Sequence, residues 1–408
     1  MFTIYRSNDL DILLNLIKYN ILENPLKNPL RTEIIILSDL TLIPYLKINL
    51  SKIIGIHANI NYINPERFIW DLFIKIIPKI SKENIFNKKM IIWQLMSIIP
   101  KIIILPEFKN FKKYLNDIKN INYLFQISIQ IANLYDEYQK YRPKWLFLWE
   151  NDQKIFLFND KDQIWQAKLW KKLIIYNKII LGKQLWYLSK LYNYIIHIQN
   201  KKTIKYSILP ERIFILETQN IPLIYLQLLE KLTKYIEIHI LIKNPCIHYW
   251  DNIQTNKNDN FNNSLLFSWG NYGLNNINKL INLQSRMIES FVKIKPTNLL
   301  NNIQTDILLL QDHSLLKNKK KINVSDDSIQ INTFVDLKQE IEFLSINIIK
   351  LINNKNYFLH DIIVVSPNLD IYLPFIYSIF NKKKLPFNIY LDVNKNNIFN
   401  VPDTFFFC

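Results

Sequence analysis

Residues 33–38 read EIIILS. A short continuous apolar run, closed on both sides by polar residues, suits a strand that is covered on both faces, as strands of parallel sheets are. Upstream, FTIYRSN at 2–8 has a strand pattern and is followed by a helix pattern from Asp9 to about Ile21. Downstream, a second helix pattern runs through Leu46 to Ile54. Strand–helix–strand–helix is the grammar of an α/β domain with a parallel sheet. The same grammar returns much later, with ERIFILE at 211–217, a helix pattern over Ile221–Tyr235, and IEIHILI at 236–242.

Between these halves the period changes. From about 65 to 200, apolar residues recur at three and four: Phe68, Leu72, Phe73 and Ile76, then Ile91, Trp93, Leu95 and Ile98. Pro65 sits near a helix start, and Pro78, Pro100, Pro106 and Pro143 are read as punctuating helix ends. The block is a helical domain inserted into the α/β domain. Residues 251–264 form an Asn-rich polar loop, helical patterns follow between 265 and 311, and KNKKK at 317–321 is a basic linker.

A third section begins near 328. SIQINTFV reads as a strand, 336–353 as a helix with Ile341, Leu344, Ile348 and Leu351 on one face, DIIVVS at 361–366 as a strand, 370–381 as a helix and FNIYLD as a strand. The segmentation expected is 1–62 for the first part of the α/β domain, 63–204 for the helical insertion, 205–327 for the return to the α/β domain with a helical and loop region, and 328–408 for an incomplete second α/β domain. The last stretch, VPDTFFFC, fits no element and is read as a frameshift tail or a fragment end. On that reading the part after about 328 carries an unpaired sheet edge.

The 408 residues contain 51 Lys and Arg against 34 Asp and Glu, a formal charge of +17. Such a balance fits a nucleic-acid partner. Abundant Ile, Asn and Lys with four Gly also match the codons of an AT-rich genome, so the charge has a compositional reading too. Cys246 and Cys408 form no metal-ligand spacing or disulfide framework. No signal-peptide pattern and no apolar run of about 18 residues occurs. A soluble, cytoplasmic protein without a membrane partner is expected.

Several chemistries lack their motifs. A phosphate loop needs Gly-rich backbone followed by Gly-Lys-Ser/Thr, yet Gly182-Lys183 is followed by Gln184, with Asn177 where the first Gly belongs. The turn Ser38-Asp39-Leu40-Thr41 has neither Gly nor Lys. No nucleophile elbow or zinc-protease motif is present, and His239 and His248 read as structural. Adjacent Asp136 and Glu137 diverge by about 100° on a helix, so they make no acid–base pair. No catalytic residue, no metal ligand and no cofactor is assigned to this chain.

The stretch YDEYQKYRPKWL at 135–146 is rich in rings and charges. A helix places Leu134, Tyr138 and Tyr141 on one side, lets Asp136 pair with Lys140, and stops at Arg142 before Pro143. Arg142 beside Tyr and Trp rings either holds a phosphate and stacks a base or satisfies the last helix carbonyls within a packed helix pair.

Seven stretches taken in order resemble one family: GIHANINYINPERFIWDLF at 55–73, YDEYQKYRPKWLFLWE at 135–150, WQAKLWKKL at 165–173, IEIHILIKNPCIHYWDN at 236–252, NSLLFSWGNYG at 263–273, NLLNNIQTDIL at 298–308 and DIIVVSPNLDIYLPFIYSIF at 361–380. They resemble the amino-terminal part of the RecC family, the gamma subunit of exonuclease V (the RecBCD enzyme). The resemblance implies an inactive helicase-like (superfamily 1-like) parallel-sheet domain with a large helical insertion and the start of a second motor-like α/β domain. It implies a non-catalytic scaffold that splits DNA strands and scans the single strand for Chi during repair of double-strand breaks. RecB and RecD would be its partners, and these, not this chain, would use ATP and Mg2+.

Trp70, Leu134, Asp136 and Arg142 match the family's residue types at DNA-contacting positions. Ser38, Leu40, Pro44, Asn64 and Leu188 depart from them, so base readout at those five positions is expected to differ. A decayed subunit without activity shares these fold signals. A self-sufficient helicase or nuclease would need the motifs that are missing.

Overall fold

Parallel strands buried on both faces organise the first part of the chain. The computed structural model describes residues 2–77, 80–112, 120–153, 155, 160–181, 186–198, 209–216, 221–250, 263–281, 283, 285–312, 323, 325–353, 357, 361–382, 389–392 and 403–407. They fall into two compact units, 1–322 and 323–408. The linker at 317–321, most of the Asn-rich loop, the Gly182-Lys183 pair and Cys408 lie outside the described residues.

The first unit starts with strand β1 (Phe2–Ser7), helix α1 (Leu10–Glu23), β2 (Glu33–Leu37), α2 (Ile43–Ile54), β3 (Ile60–Ile63) and α3 (Pro65–Ile76). Helices α4 (Lys88–Ile102), α5 (Lys109–Lys112), α6 (Ile121–Tyr141), α7 (Pro143–Glu150), α8 (Asp160–Leu181) and α9 (Leu188–Ile198) follow. Then come β4 (Arg212–Leu216), α10 (Leu223–Leu232), β5 (Glu237–Lys243), α11 (Ser264–Trp269), α12 (Asn271–Ile281), β6 (Arg286–Glu289) and α13 (Leu299–Leu308).

The six strands lie in the order β3-β2-β4-β5-β1-β6, and every ladder is parallel. Because side chains alternate along a strand, Ile36, Ile213, Ile215, Ile238 and Ile240 face α3, α9 and α10. Ile35, Leu37, Phe214, Leu216 and Leu241 face α1 and α2. Two-sided cover explains why these strands read as continuous apolar runs. The inserted helices enclose their own core, built on Leu95, Ile99, Tyr135, Trp149 and Trp170. A buried amide pair fastens it: Gln94 Nε2 and Asn177 Nδ2 donate to each other's oxygens at 2.9 and 3.0 Å.

At the amino ends of the strands, Arg212 is buried. Its guanidinium pairs with Glu33 and donates to the carbonyls of Asn20 and Asn24, both at 2.8 Å, which close the end of α1. In the middle of the sheet lies His239, 2 % exposed. Its Nδ1 is 3.2 Å from the Tyr5 hydroxyl.

The second unit holds α14 (Leu337–Asn353), β7 (Ile363–Ser366), α15 (Leu369–Lys382), β8 (Ile389–Asp392) and β9 (Asp403–Phe407). Ile341, Ile348, Leu369, Ile376 and Phe380 form its core. Two expectations fail here. SIQINTFV has no strand assignment: among the described residues no strand lies beside it to complete a ladder, and Ile331 and Val335 are exposed. Residues 403–407 do form an element, because β9 pairs antiparallel with both β7 and β8, and the sheet is therefore not parallel. In the first unit, Pro100 lies inside α4 rather than at its end. Among the described residues, no single helix is long and apolar enough to cross a membrane.

Candidate nucleic-acid interface

In a parallel α/β sheet, ligands sit beyond the carboxyl ends of the strands. The register Ile36↔Ile63 brings the ends of β2 and β3 side by side, so Ser38 and Asn64 share that edge. Asn64 Oδ1 accepts from the Arg67 amide at 2.8 Å and caps α3, where Pro65 supplies the first residue. Asp39 Oδ1 accepts from the Thr41 amide at 2.9 Å, Leu40 is exposed, and Pro44 opens α2. Leu188 is buried in the core on the α3 side of the sheet.

The carboxyl end of α6 supplies the second half of the site. Lys140 Nζ lies 2.7 Å from Asp136 Oδ2 and also pairs with Glu66 of α3. Burial alone would push the Lys140 ammonium toward neutrality, but the Glu66 and Asp136 carboxylates outweigh it and raise its pKa. This two-carboxylate clamp joins the sheet domain to the inserted helices. Replacing Lys140 by Ala leaves both carboxylates facing each other and is expected to lower stability by about 2 kcal/mol. The chemical-denaturation midpoint measures it, and an unmoved midpoint would make the clamp an ordinary surface pair.

Arg142 closes α6 and opens α7 with φ −133° and ψ 48°, and its guanidinium lies 5.6 Å from the Trp145 ring centre. Its Nη1 donates to the Tyr141 carbonyl at 3.4 Å. A groove of about 440 Å³ runs here, lined by Glu137, Tyr138, Tyr141, Arg142 and Trp145. Tyr138 is packed edge-on to Trp149 at 5.6 Å and donates to Gln166 Oε1 at 3.0 Å, so it is a wall rather than a moving part. Tyr141 and Arg142 are exposed. Burial, and then the Glu137 charge, raises the Tyr138 pKa, so its hydroxyl keeps its proton at neutral pH. The groove thus offers a cation, flat rings and a carboxylate, which are the groups that hold a phosphate, stack a base and accept from a base amine.

The four residues expected from the sequence do not form one constellation. Asp136 and Arg142 share the end of α6. Leu134 lines a different groove of about 440 Å³, together with Phe111, Tyr123, Gln126, Gln130 and Trp165. Trp70 is 8 % exposed, and its Nε1 donates to the Lys82 carbonyl at 3.2 Å. The ring therefore belongs to the core beneath the site. Sequence spacing gave the Asp136–Lys140 pair but missed Glu66, which is far away in sequence. Among the described residues, no three His, Cys, Asp or Glu side chains are placed to hold a metal ion.

The profile of the RecC N-terminal domain matches residues 2–310. The RecBCD enzyme subunit RecC of Escherichia coli (strain K12) is 33% identical over 428 aligned positions, covering 93% of this chain and 38% of that protein. The same subunit of Buchnera aphidicola subsp. Acyrthosiphon pisum is 33% identical, covering 95% and 37%. That of Haemophilus influenzae is 25% identical, covering 95% and 40%. The chain spans about two-fifths of the length of the curated relatives it matches.

Proposed function

The chain belongs to the RecC family, and from that membership we propose that it serves as a non-catalytic, DNA-binding subunit of a RecBCD-type helicase–nuclease. Its partners are RecB and RecD, which supply ATP hydrolysis and strand cleavage, and it acts in the cytoplasm on double-strand ends. It holds the single strand after the strands separate and presents it for Chi scanning. The observation that carries this reading is the Arg142 groove, where an exposed guanidinium stands over Trp145 beside the half-open Tyr141.

The turns that would hold a nucleotide support the non-catalytic part. After β1 the chain reads Ser7-Asn8-Asp9, and Asp9 Oδ1 already accepts from the Asp11 amide at 2.8 Å. A carboxylate at a helix N-terminus takes the place of a phosphate and repels one. Asn8 exchanges two hydrogen bonds with the Val292 backbone, at 2.9 and 2.8 Å, which closes that turn from the side. The turn after β2 likewise carries Asp39.

Arg142→Ala is expected to weaken single-strand binding by about 1 kcal/mol. Titration of an oligonucleotide against salt separates the two contributions, since loss of a phosphate contact reduces the salt slope by about one. Unchanged affinity with lowered stability would return Arg142 to a capping role.

A further inference from the structure

Outside the helical core, the face shared by α4 and α6 carries a second apolar surface. Ile91, Leu95 and Ile98 of α4 and Leu124, Ile127 and Ile131 of α6 already fill the helical core. Yet Trp93 is 63 % exposed, and Met90, Ile121 and Phe125 are exposed with it. The Trp93 and Phe125 rings lie 6.0 Å apart, so the two helices present one continuous patch. Contiguous apolar surface rimmed by polar groups marks an interaction site.

We propose that this face docks another protein subunit through an apolar segment edged with carboxylates. The inference rests on the reading of the chain as a subunit of a complex, and it adds the surface used. Charge selects the occupant. Helix α4 carries Lys88, Lys89 and Lys101 and no carboxylate, and α6 has no charged residue before Asp136. The charges that these two helices place beside the patch are cationic, which complements an acidic rim and steers it into register. A second copy of this chain, docked by twofold symmetry, would bring lysines against lysines. A nucleic-acid strand needs a succession of flat rings with cations along it. Met90 and Ile121 offer no ring, and the lysines stand at the two ends of α4. Aromatic and Met side chains at the centre with charges at the edge are the composition of a protein interface.

The test uses the full chain, coexpressed in turn with tagged RecB and with tagged RecD from the same source. Trp93→Glu is expected to cut retention on one of them about tenfold or more, with the melting temperature unchanged because the ring is exposed. Trp93→Phe keeps retention, and the pair Lys89→Glu with Lys101→Glu reduces it. Trp93→Glu retained like the wild type on both subunits overturns the docking face alone. Lost oligonucleotide binding with assembly intact assigns the face to DNA and overturns it. A wild-type dimer that Trp93→Glu makes monomeric assigns it to a second copy and overturns it. A wild-type chain retained by neither subunit overturns the subunit reading and this surface with it.

Discussion

Replacing Arg212 by Met lowers the unfolding free energy of the purified chain by about 3–5 kcal/mol. Arg212 and Glu33 form an ion pair between adjacent strands β4 and β2, with side chains 3 % and 10 % exposed. Removing the guanidinium leaves a carboxylate with little water and no counter-charge, and that penalty dominates the loss. It also removes the donors that the guanidinium gives to the carbonyls of Asn20 and Asn24 at the end of α1, where the Asn20 carbonyl also accepts from the Asn24 amide at 3.3 Å. Replacing both partners, Arg212→Met with Glu33→Leu, removes the stranded charge and recovers part of the loss. Both carbonyls still lack the guanidinium donor, so recovery is incomplete. A single variant that shifts the urea midpoint by an equivalent of less than about 1 kcal/mol would show that water reaches the pair.

The parts of the fold that sequence patterning reveals are those where one physical demand acts alone. Strands covered on both faces must be predominantly apolar, with any buried polar group partnered, and β2, β4 and β5 are visible for that reason. Edge strands escape the rule. Among the described residues, INYI of β3 and RMIE of β6 each have a neighbouring strand on one side only and keep polar residues, so they resemble loops. SIQINTFV shows the converse: its β-prone residues describe a tendency that a ladder partner must realise. Trp93 was placed with Ile91 and Leu95 by hydrophobicity, yet an α-helix turns it away from both, and it stands in water. The candidate site was legible where its groups are local. The Asp136–Lys140 pair and the stop at Arg142 follow from spacing within one helix. The clamp on Glu66 and the burial of Trp70 depend on how α3 meets α6, which no local pattern encodes.

His239 makes the stability of the sheet depend on pH below neutrality. Burial in the sheet, between the rings of Tyr5 and Phe214, lowers its pKa from 6.5 to about 4. Glu237, with Oε1 3.2 Å from Nε2, pulls the other way, and Arg212 adds to the lowering. The folded state thus holds this imidazole neutral where the unfolded chain would protonate it. Above the unfolded value both states are neutral and the group has no influence. As pH falls from 6.5 toward about 4 the unfolded state gains a proton that the folded state refuses, so stability drops across that window. A separation of about 2.5 pH units corresponds to roughly 3 kcal/mol at the bottom of the window. Carboxylates also begin to titrate there, so the wild type must be compared with His239→Gln, which keeps a polar group beside the Tyr5 hydroxyl but cannot ionise. Urea unfolding of both proteins at several pH values between about 4.5 and 7 should give curves that diverge as pH falls, with the wild type losing more. Parallel curves would mean that the Glu237 carboxylate fully compensates the buried charge and that His239 protonates in place without cost to the fold.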